Sequence, residues 1–321
     1  MPATRVVRVN AFAKLNLCLS VLYKRPDGYH EIRSVFQTVS LADRLRIEFT
    51  PARRTRIEAV CQIDIPGNLA VRAAQALFDN AKITGSVDIR LGKRIPIGGG
   101  LGGGSSDAAA VLLALPSLTG RRIDPELIHR TAASLGSDVP FFLTGGTAIG
   151  TGRGDELYPL ADLTAPCAII AAPGLPVSTP DAYRALARPE FTGLTPDALA
   201  NKMREFRAFS RALDGSGEWG AFAVNDFEPA VFPRHPEIQR LWRSLRRSGA
   251  SPARMSGSGS ALFGVFASPD SRDKAAESLR SAYPKASVHS IRFISRRHYR
   301  ATWLRSLSPY CAPGEWPPQP R

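Results

Sequence analysis

Residues 98–104 hold six glycines in seven positions, between Pro96 and the pair Ser105-Ser106. A phosphate group needs backbone N–H donors at close range. A Cβ would hold the backbone away, so glycine suits such a contact. The residues that follow, Asp107-Ala108-Ala109-Ala110-Val111-Leu112, are strong helix formers with an apolar face. A helix starting here offers unpaired N–H groups and a partial positive charge to whatever the loop holds. Ser105 and Ser106 add hydroxyls at that end. Asp107, in the first turn, either assists a metal or simply favours the dipole. Gly99 and Gly104 have the spacing of a P-loop, but Ser105 stands where that motif has lysine. Gly98-x-Gly100-x-x-Gly103 fits the dinucleotide pattern, a weak match in so glycine-rich a run. A flexible linker would not lead straight into an amphipathic helix.

Lys14 interrupts an otherwise apolar, alternating stretch. Burying a lysine there is costly without an anionic partner. A second glycine cluster, Met255-Ser256-Gly257-Ser258-Gly259-Ser260, lies far along the chain, and the segment 24–30 contains the turn pair Asp27-Gly28.

The elements that must position these groups follow from periodicity. Residues 5–23 alternate like a strand, and strands are expected near 33–40, 44–50 and 86–91. Residues 68–81 have helical periodicity, with Asn68 as N-cap. A helix runs on from Ser105 and another covers about 124–135. Residues 135–155 read as loop, short strand and loop. In the second half, strands are expected at 167–172 and 286–294, and helices near 195–213, 236–248 and 270–282. The segment 255–266 reads as a glycine turn followed by a strand. Early antiparallel alternation mixed with helices implies an α+β fold of two lobes, with the glycine loops at the cleft. The division is expected at 1–160 and 161–295. An Arg/Pro-rich tail, 296–321, is expected to be loosely ordered, so that ending the chain at 295 leaves activity unchanged.

Composition narrows the classes. Hydrophobic residues are 44% of 321, enough for a real core. The formal charge of +14 favours anionic ligands: nucleotides, phosphosugars or nucleic acid. A nucleic-acid binder would show clustered Lys/Arg with interleaved aromatics, and only 292–305 comes near that. The four cysteines are widely spaced, which argues against a zinc site or a disulfide framework and for reduced thiols in the cytoplasm. The histidines form no metal-ligand spacing. No run of 18 apolar residues is present, so no membrane span is expected. Arg5 and Arg8 precede a partly apolar stretch, but Lys14 and Asn16 break it, so it reads as mature protein.

On these residues the chain resembles the GHMP kinase superfamily. The loop from Pro96 to Ser106 resembles that family's ATP-binding segment, and Met255–Ser260 its C-terminal glycine motif. Residues 11–43, 67–74 and 135–155 resemble the branch whose alcohol substrate carries a cytidine diphosphate. The resemblance implies an ATP-dependent kinase with ATP and substrate in the cleft. It implies Lys14 and Asp138 as the catalytic pair, with Lys14 keeping Asp138 ionised beside the reacting hydroxyl. It places the ATP phosphates on Gly98, Gly99, Gly100, Leu101, Gly102, Gly103, Gly104, Ser105 and Ser106, next to Pro96. Asn68 and Lys93 fall near adenine and ribose. Asn16 would bond the substrate, Tyr29 and His30 would stack on and read the cytosine, and Thr179 and Tyr183 would form the opposite wall. Mg²⁺ is implied, held mainly by phosphates and water, with no dedicated protein ligands. The partner is thus a small molecule, neither nucleic acid nor membrane, and both a monomer and a homodimer fit. A kinase of homoserine, a mevalonate-type acid or a sugar is the nearest alternative, and Asn16, Tyr29 and His30 argue against it. A nicotinamide-dependent oxidoreductase would need an N-terminal βαβ unit, which the opening strands do not form.

Overall fold

A computed structural model describes residues 3–163, 167–190, 195–213 and 219–321. Two long antiparallel strands, β1 (Arg5–Lys24) and β2 (His30–Thr50), form its spine. Their turn suits the sequence: the Asp27 carboxylate accepts from the Tyr29 N–H, and Gly28 takes φ +84°. β2 is one strand where two were expected. Nothing between 40 and 44 breaks a strand, and the bend is absorbed as a register irregularity between Phe12 and Lys14. That irregularity frees the Lys14 N–H from the ladder, and it donates to the Leu101 carbonyl of the glycine loop at 3.0 Å.

The first sheet continues through β3 (Arg56–Cys61), β4 (Ser86–Gly92), β5 (Thr147–Thr151) and β6 (Glu156–Pro159), in the order β3-β4-β2-β5-β6, with β1 on the other side of β2. Four helices cover it: α1 (Leu69–Ala81), α2 (Gly103–Thr119), α3 (Pro125–Leu135) and α4 (Val139–Thr144). Every residue of α2 from Ser106 to Leu118 is buried, so it is a core helix rather than an amphipathic surface one. α4 falls where a loop was expected. Pro140 in its first turn and Gly145 at its end, φ +67°, bound a helix too short for periodicity to reveal.

The second sheet is antiparallel, in the order β10-β7-β9-β8, from β7 (Cys167–Ala172), β8 (Ala253–Met255), β9 (Leu262–Phe266) and β10 (Ser287–Arg292). α5 (Thr179–Leu186), α6 (Pro196–Leu213), α7 (Glu228–Val231), α8 (Pro236–Arg247) and α9 (Pro269–Ala282) accompany it. β1 contributes to three hydrophobic clusters in turn: Val7 and Val9 to the first lobe, Leu15 and Leu17 to the seam, Leu19 and Val21 to the second lobe. From Ala11 to Leu22 it is buried on both faces, while Arg8 and Asn10 keep one face of its first part exposed.

The tail corrects the sequence reading. Arg296–Leu307 forms α10, capped by the Ser295 hydroxyl, which accepts from the His298 N–H. Tyr299, Trp303 and Leu307, four apart, bury one face in the first core, while Arg297 and Arg305 stay exposed and half-buried Arg296 donates to the Leu160 and Thr147 carbonyls. The Arg-rich composition hid that stripe. Beyond it the Trp316 indole donates to the Leu143 carbonyl, and buried Gln319 bonds the backbone of Ile123. All four cysteines are free. No helix among the described residues is long and apolar enough to cross a membrane.

Candidate active site

The loop from β4 to α2 stays close to backbone throughout. Gly100 has φ +73°, and a Cβ there would lie 2.2 Å from the Ser256 carbonyl. Gly102 is left-handed at φ +70°, and its Cβ would meet the Phe142 ring at 2.8 Å. Glycine is thus required at both. The second glycine cluster is what crowds Gly100. The Ala261 N–H donates to the Gly99 carbonyl at 3.2 Å and the Ser256 hydroxyl to the Gly100 carbonyl at 3.1 Å. A cavity of about 370 Å³ opens along the loop, lined by 65–69, Lys93, 95–105 and Asp107. Asn68 lies on its rim as the α1 N-cap, its side chain accepting from the Ala70 N–H.

One expectation changes here and another gains detail. Ser106 turns away from the cavity: its buried hydroxyl donates to the Phe12 carbonyl at 2.7 Å and clips α2 to β1. Lys93 is not a free cation. Its ammonium bonds both Asp43 and Asp107 in the interior, the latter at 2.7 Å. Burial pushes the Asp107 carboxyl up and the Asp43 charge pushes the same way, against the pull of Lys93. Asp107 therefore serves a buried triad beneath the loop. Asp43 also accepts from the Arg94 and Ile95 N–H groups and so sets the path into the glycines.

Lys14 and Asp138 come together as expected. The Lys14 ammonium, 4% exposed, lies 3.5 Å from the Asp138 carboxylate and 2.5 Å from the Asn16 side-chain oxygen. Asp138 occupies the α4 N-cap position, yet its side chain makes no capping bond, and at 34% exposure it faces the cleft. Asn16 is held from two sides, since its amide nitrogen donates to the Ser34 hydroxyl at 2.8 Å.

Both residues line a second cavity, of about 640 Å³. Gly100 lines both cavities and marks where they meet. Among the described residues, five cations (Lys14, Lys24, Arg153, Arg184 and Arg188) and one carboxylate, Asp138, line the larger one, with Arg153, Arg184 and Arg188 also paired to Asp155, Asp181 and Asp226 behind it. Such a chamber favours an anionic ligand. His30 stacks on Tyr183, ring centroids 4.6 Å apart, so the residue expected to read an edge is itself a stacking face. Tyr29 is 53% exposed with the Arg153 guanidinium 4.8 Å over its ring. Burial, then the Lys24 and Arg188 charges, push the His30 imidazole below its usual range and keep it neutral. Burial and the Asp138 charge push the Tyr183 phenol up to about 12, so it stays protonated. The Thr179 and Ser258 hydroxyls share a hydrogen bond of 2.8 Å across the cleft.

The chain matches the family model for the GHMP kinases N terminal domain over residues 68–146 and that for the GHMP kinases C terminal over 197–285. A 4-diphosphocytidyl-2-C-methyl-D-erythritol kinase of Solibacter usitatus (strain Ellin6076) is 48% identical over 321 residues, 100% of this chain and 99% of the relative. The chain belongs to the 4-diphosphocytidyl-2-C-methyl-D-erythritol kinases, a branch of the GHMP kinases. The relative of that name from Prosthecochloris aestuarii (strain DSM 271 / SK 413) is 38% identical over 284 residues, 86% of this chain and 95% of its own. A crystal structure titled 4-(cytidine 5'-diphospho)-2C-methyl-D-erythritol kinase superposes with a TM-score of 0.71 at 38% identity, covering 90% of this chain and 100% of that one.

Within this kinase, sequence reasoning passed over Arg153, Arg188 and the turn Asn225–Glu228. Arg153 lies inside a segment whose resemblance was noted, and its neighbours Gly152 and Gly154 were the available signal. Arg188 and Asn225–Glu228 carry no local pattern that points to a cleft.

Proposed function

We propose that this kinase transfers the γ-phosphoryl group of ATP to the 2-hydroxyl of 4-diphosphocytidyl-2-C-methyl-D-erythritol, giving the 2-phosphate and ADP, a step of non-mevalonate isoprenoid precursor synthesis in the cytoplasm. The observation that carries this reading is the placement of Lys14 and Asp138 on a cation-lined chamber that meets the glycine cradle at Gly100.

The backbone from Gly98 to Ser105 binds the ATP phosphates, at the N-terminal end of α2. Asn68 and the loop before it border the same cavity and take the nucleoside. Mg²⁺ would enter with the nucleotide, held by its phosphates beside the Gly98–Ser105 backbone, and would supply charge neutralisation during transfer. The glycine cradle, with no side chain to fill it, fits a triphosphate. Lys93 supports the loop from beneath.

On the acceptor side, Tyr29 and neutral His30, which is backed by the Tyr183 ring, enclose the cytosine. Arg153, Arg188 and Lys24 balance the diphosphate. Asn16 and Lys14 orient the 2-hydroxyl. Asp138 takes its proton as the oxygen bonds to the γ-phosphorus and the bond to the β,γ-bridging oxygen breaks, leaving ADP. Lys14 stabilises the Asp138 carboxylate before transfer and the negative oxygens near it during transfer. A positioned base of this kind contributes about 10²–10⁴-fold. The lobes divide near residue 160 on this reading, with the second lobe adding Thr179, Tyr183, Arg184 and Arg188 to the acceptor wall.

Coupled ADP release with Mg-ATP tests the assignment, with the cytidyl substrate, homoserine, mevalonate and galactose in parallel. Turnover confined to the cytidyl substrate is expected. Turnover with another of these alcohols, and none with the cytidyl substrate, would overturn the acceptor assignment.

A further inference from the structure

The second glycine loop, Ser256–Ser260, joins β8 to β9 and touches both halves of the site. Ser256 bonds Gly100, Gly257 and Ser258 line the acceptor cavity, and the Asn16 N–H donates to the Ser256 hydroxyl at 3.3 Å. A loop of small residues has almost no side chains with which to anchor itself, and its glycines are free to adopt other conformations. The Ser256–Gly100 and Ala261–Gly99 bonds join it to the first loop, and a further anchor fixes it from the other side.

That anchor is the turn Asn225-Asp226-Phe227-Glu228. The Asn225 amide nitrogen donates to two loop carbonyls at once, Met255 at 2.6 Å and Gly257 at 2.9 Å. Its amide oxygen accepts from the Phe227 N–H at 2.9 Å, so the orientation of the amide is set by all three bonds. The Glu228 carboxylate accepts from the Met255 N–H at 2.8 Å. Both polar groups of Met255 are thereby held by this one turn. The turn is itself pinned to β1: the Leu19 N–H donates to the Val224 carbonyl, the Asp226 N–H to the Leu19 carbonyl, and the Val21 N–H to the Asp226 carboxylate. Asn225 is 5% exposed, so these bonds form out of water, where leaving them unmade is costly.

We propose that Asn225, together with Glu228, is a positioning residue for phosphoryl transfer: it fixes the second glycine loop against Gly100, where the donor and acceptor cavities meet. Asn225 touches neither ligand cavity's reacting groups and acts only through the loop. Its contribution therefore falls on the alignment of γ-phosphate and hydroxyl. Binding of the cytidine diphosphate arm, held on the Tyr29 and His30 side, and of ADP, held on Gly98–Ser105, depends on it little. A misplacement of about 1 Å costs on the order of 10²-fold in rate.

This rests on the proposed function, and the test separates the two. Asn225→Asp is isosteric but turns an oxygen towards the Met255 and Gly257 carbonyls. Its kcat is compared with that of the unmodified protein on whichever alcohol the latter phosphorylates. The affinities for CDP and for ADP are measured by calorimetry alongside. The expected result is a kcat lower by at least 10-fold, with both dissociation constants within about threefold. A kcat within twofold of the unmodified protein would overturn the proposal. So would CDP and ADP affinities that fall in proportion to kcat, because Asn225 would then be supporting the fold as a whole. Asn225→Ser, which keeps one donor and adds no charge, is read by the same criteria if the aspartate variant does not fold. If the unmodified protein phosphorylates a different alcohol, the substrate assignment falls while the ratio still tests Asn225.

Discussion

Ending the chain at residue 295 removes α10 and the strap behind it. Tyr299, Trp303 and Leu307 are each no more than 2% exposed. Losing a buried aromatic side chain costs about 3–5 kcal/mol and a leucine about 2–5. The three together reach on the order of 10 kcal/mol, comparable with the whole stability of a typical protein, about 5–15 kcal/mol. Two carbonyls at the end of α4 also lose their donors: Phe142, bonded by the Tyr299 hydroxyl, and Leu143, bonded by the Trp316 indole. Because Asp138 stands at the other end of α4, the damage reaches the site. The shortened chain is expected to be unfolded or aggregated at 25 °C. Tyr299→Phe isolates one part of this: it keeps the ring, orphans the Phe142 carbonyl, and is expected to cost about 1–3 kcal/mol. Thermal and urea unfolding, with far-UV circular dichroism and ADP release on the same samples, read both effects. A chain ending at 295 that unfolds cooperatively at the full-length midpoint and keeps full turnover would refute the reasoning.

Gly100→Ala forces a Cβ to within 2.2 Å of the Ser256 carbonyl at φ +73°. The two glycine loops must part, and turnover is expected to fall at least 10-fold in the coupled assay. Burial pushes the Glu228 carboxyl up to about 7 from an ordinary 4.5. The proton then favours the folded state, so this group's contribution is complete below about pH 4.5 and is lost as the pH rises through 7, by on the order of 3 kcal/mol. Glu228→Gln is expected to flatten that part of the stability profile, checked by unfolding midpoints between pH 4.5 and 8. His30→Ala is expected to weaken CDP and cytidine alike by about 5- to 100-fold, the worth of one stacked base, as read by calorimetry. A loss confined to CDP would place the base elsewhere.

The donor half of the site was legible because its chemistry is local. A glycine loop, a helix start and a capping Asn68 are each written within a few consecutive residues, and the structure places them on one cavity. Ser106 was misread because proximity in sequence to a phosphate loop does not say which way a side chain faces. Ser106 lies on the buried side of α2, whereas Lys93 lines the cavity and also pairs with Asp43, which adjoins the Arg44–Gly92 pair of β2 and β4. The pairing of Lys14 with Asp138 was implied by resemblance, since no periodicity links residues so far apart. Its geometry depends on the irregularity where β2 residues 39–41 oppose Ala13 and on α4, and neither has a local signature. Asn225 and Glu228 looked like ordinary polar residues beside a turn. Their function lies in contacts with Met255 and Gly257, which only the folded chain brings near. The tail was misjudged from its arginines, although Tyr299, Trp303 and Leu307 carried a readable helical stripe.

The central claim is that Asp138, beside Lys14 at the meeting of the two cavities, accepts the proton of the alcohol. Asp138→Asn with Mg-ATP and the cytidyl substrate, followed through a single turnover with CDP and ADP affinities measured on the same protein, tests it most directly. The account predicts a transfer rate lower by about 10²–10⁴-fold with both affinities within about threefold. A transfer rate within a few-fold of the unmodified enzyme would contradict it.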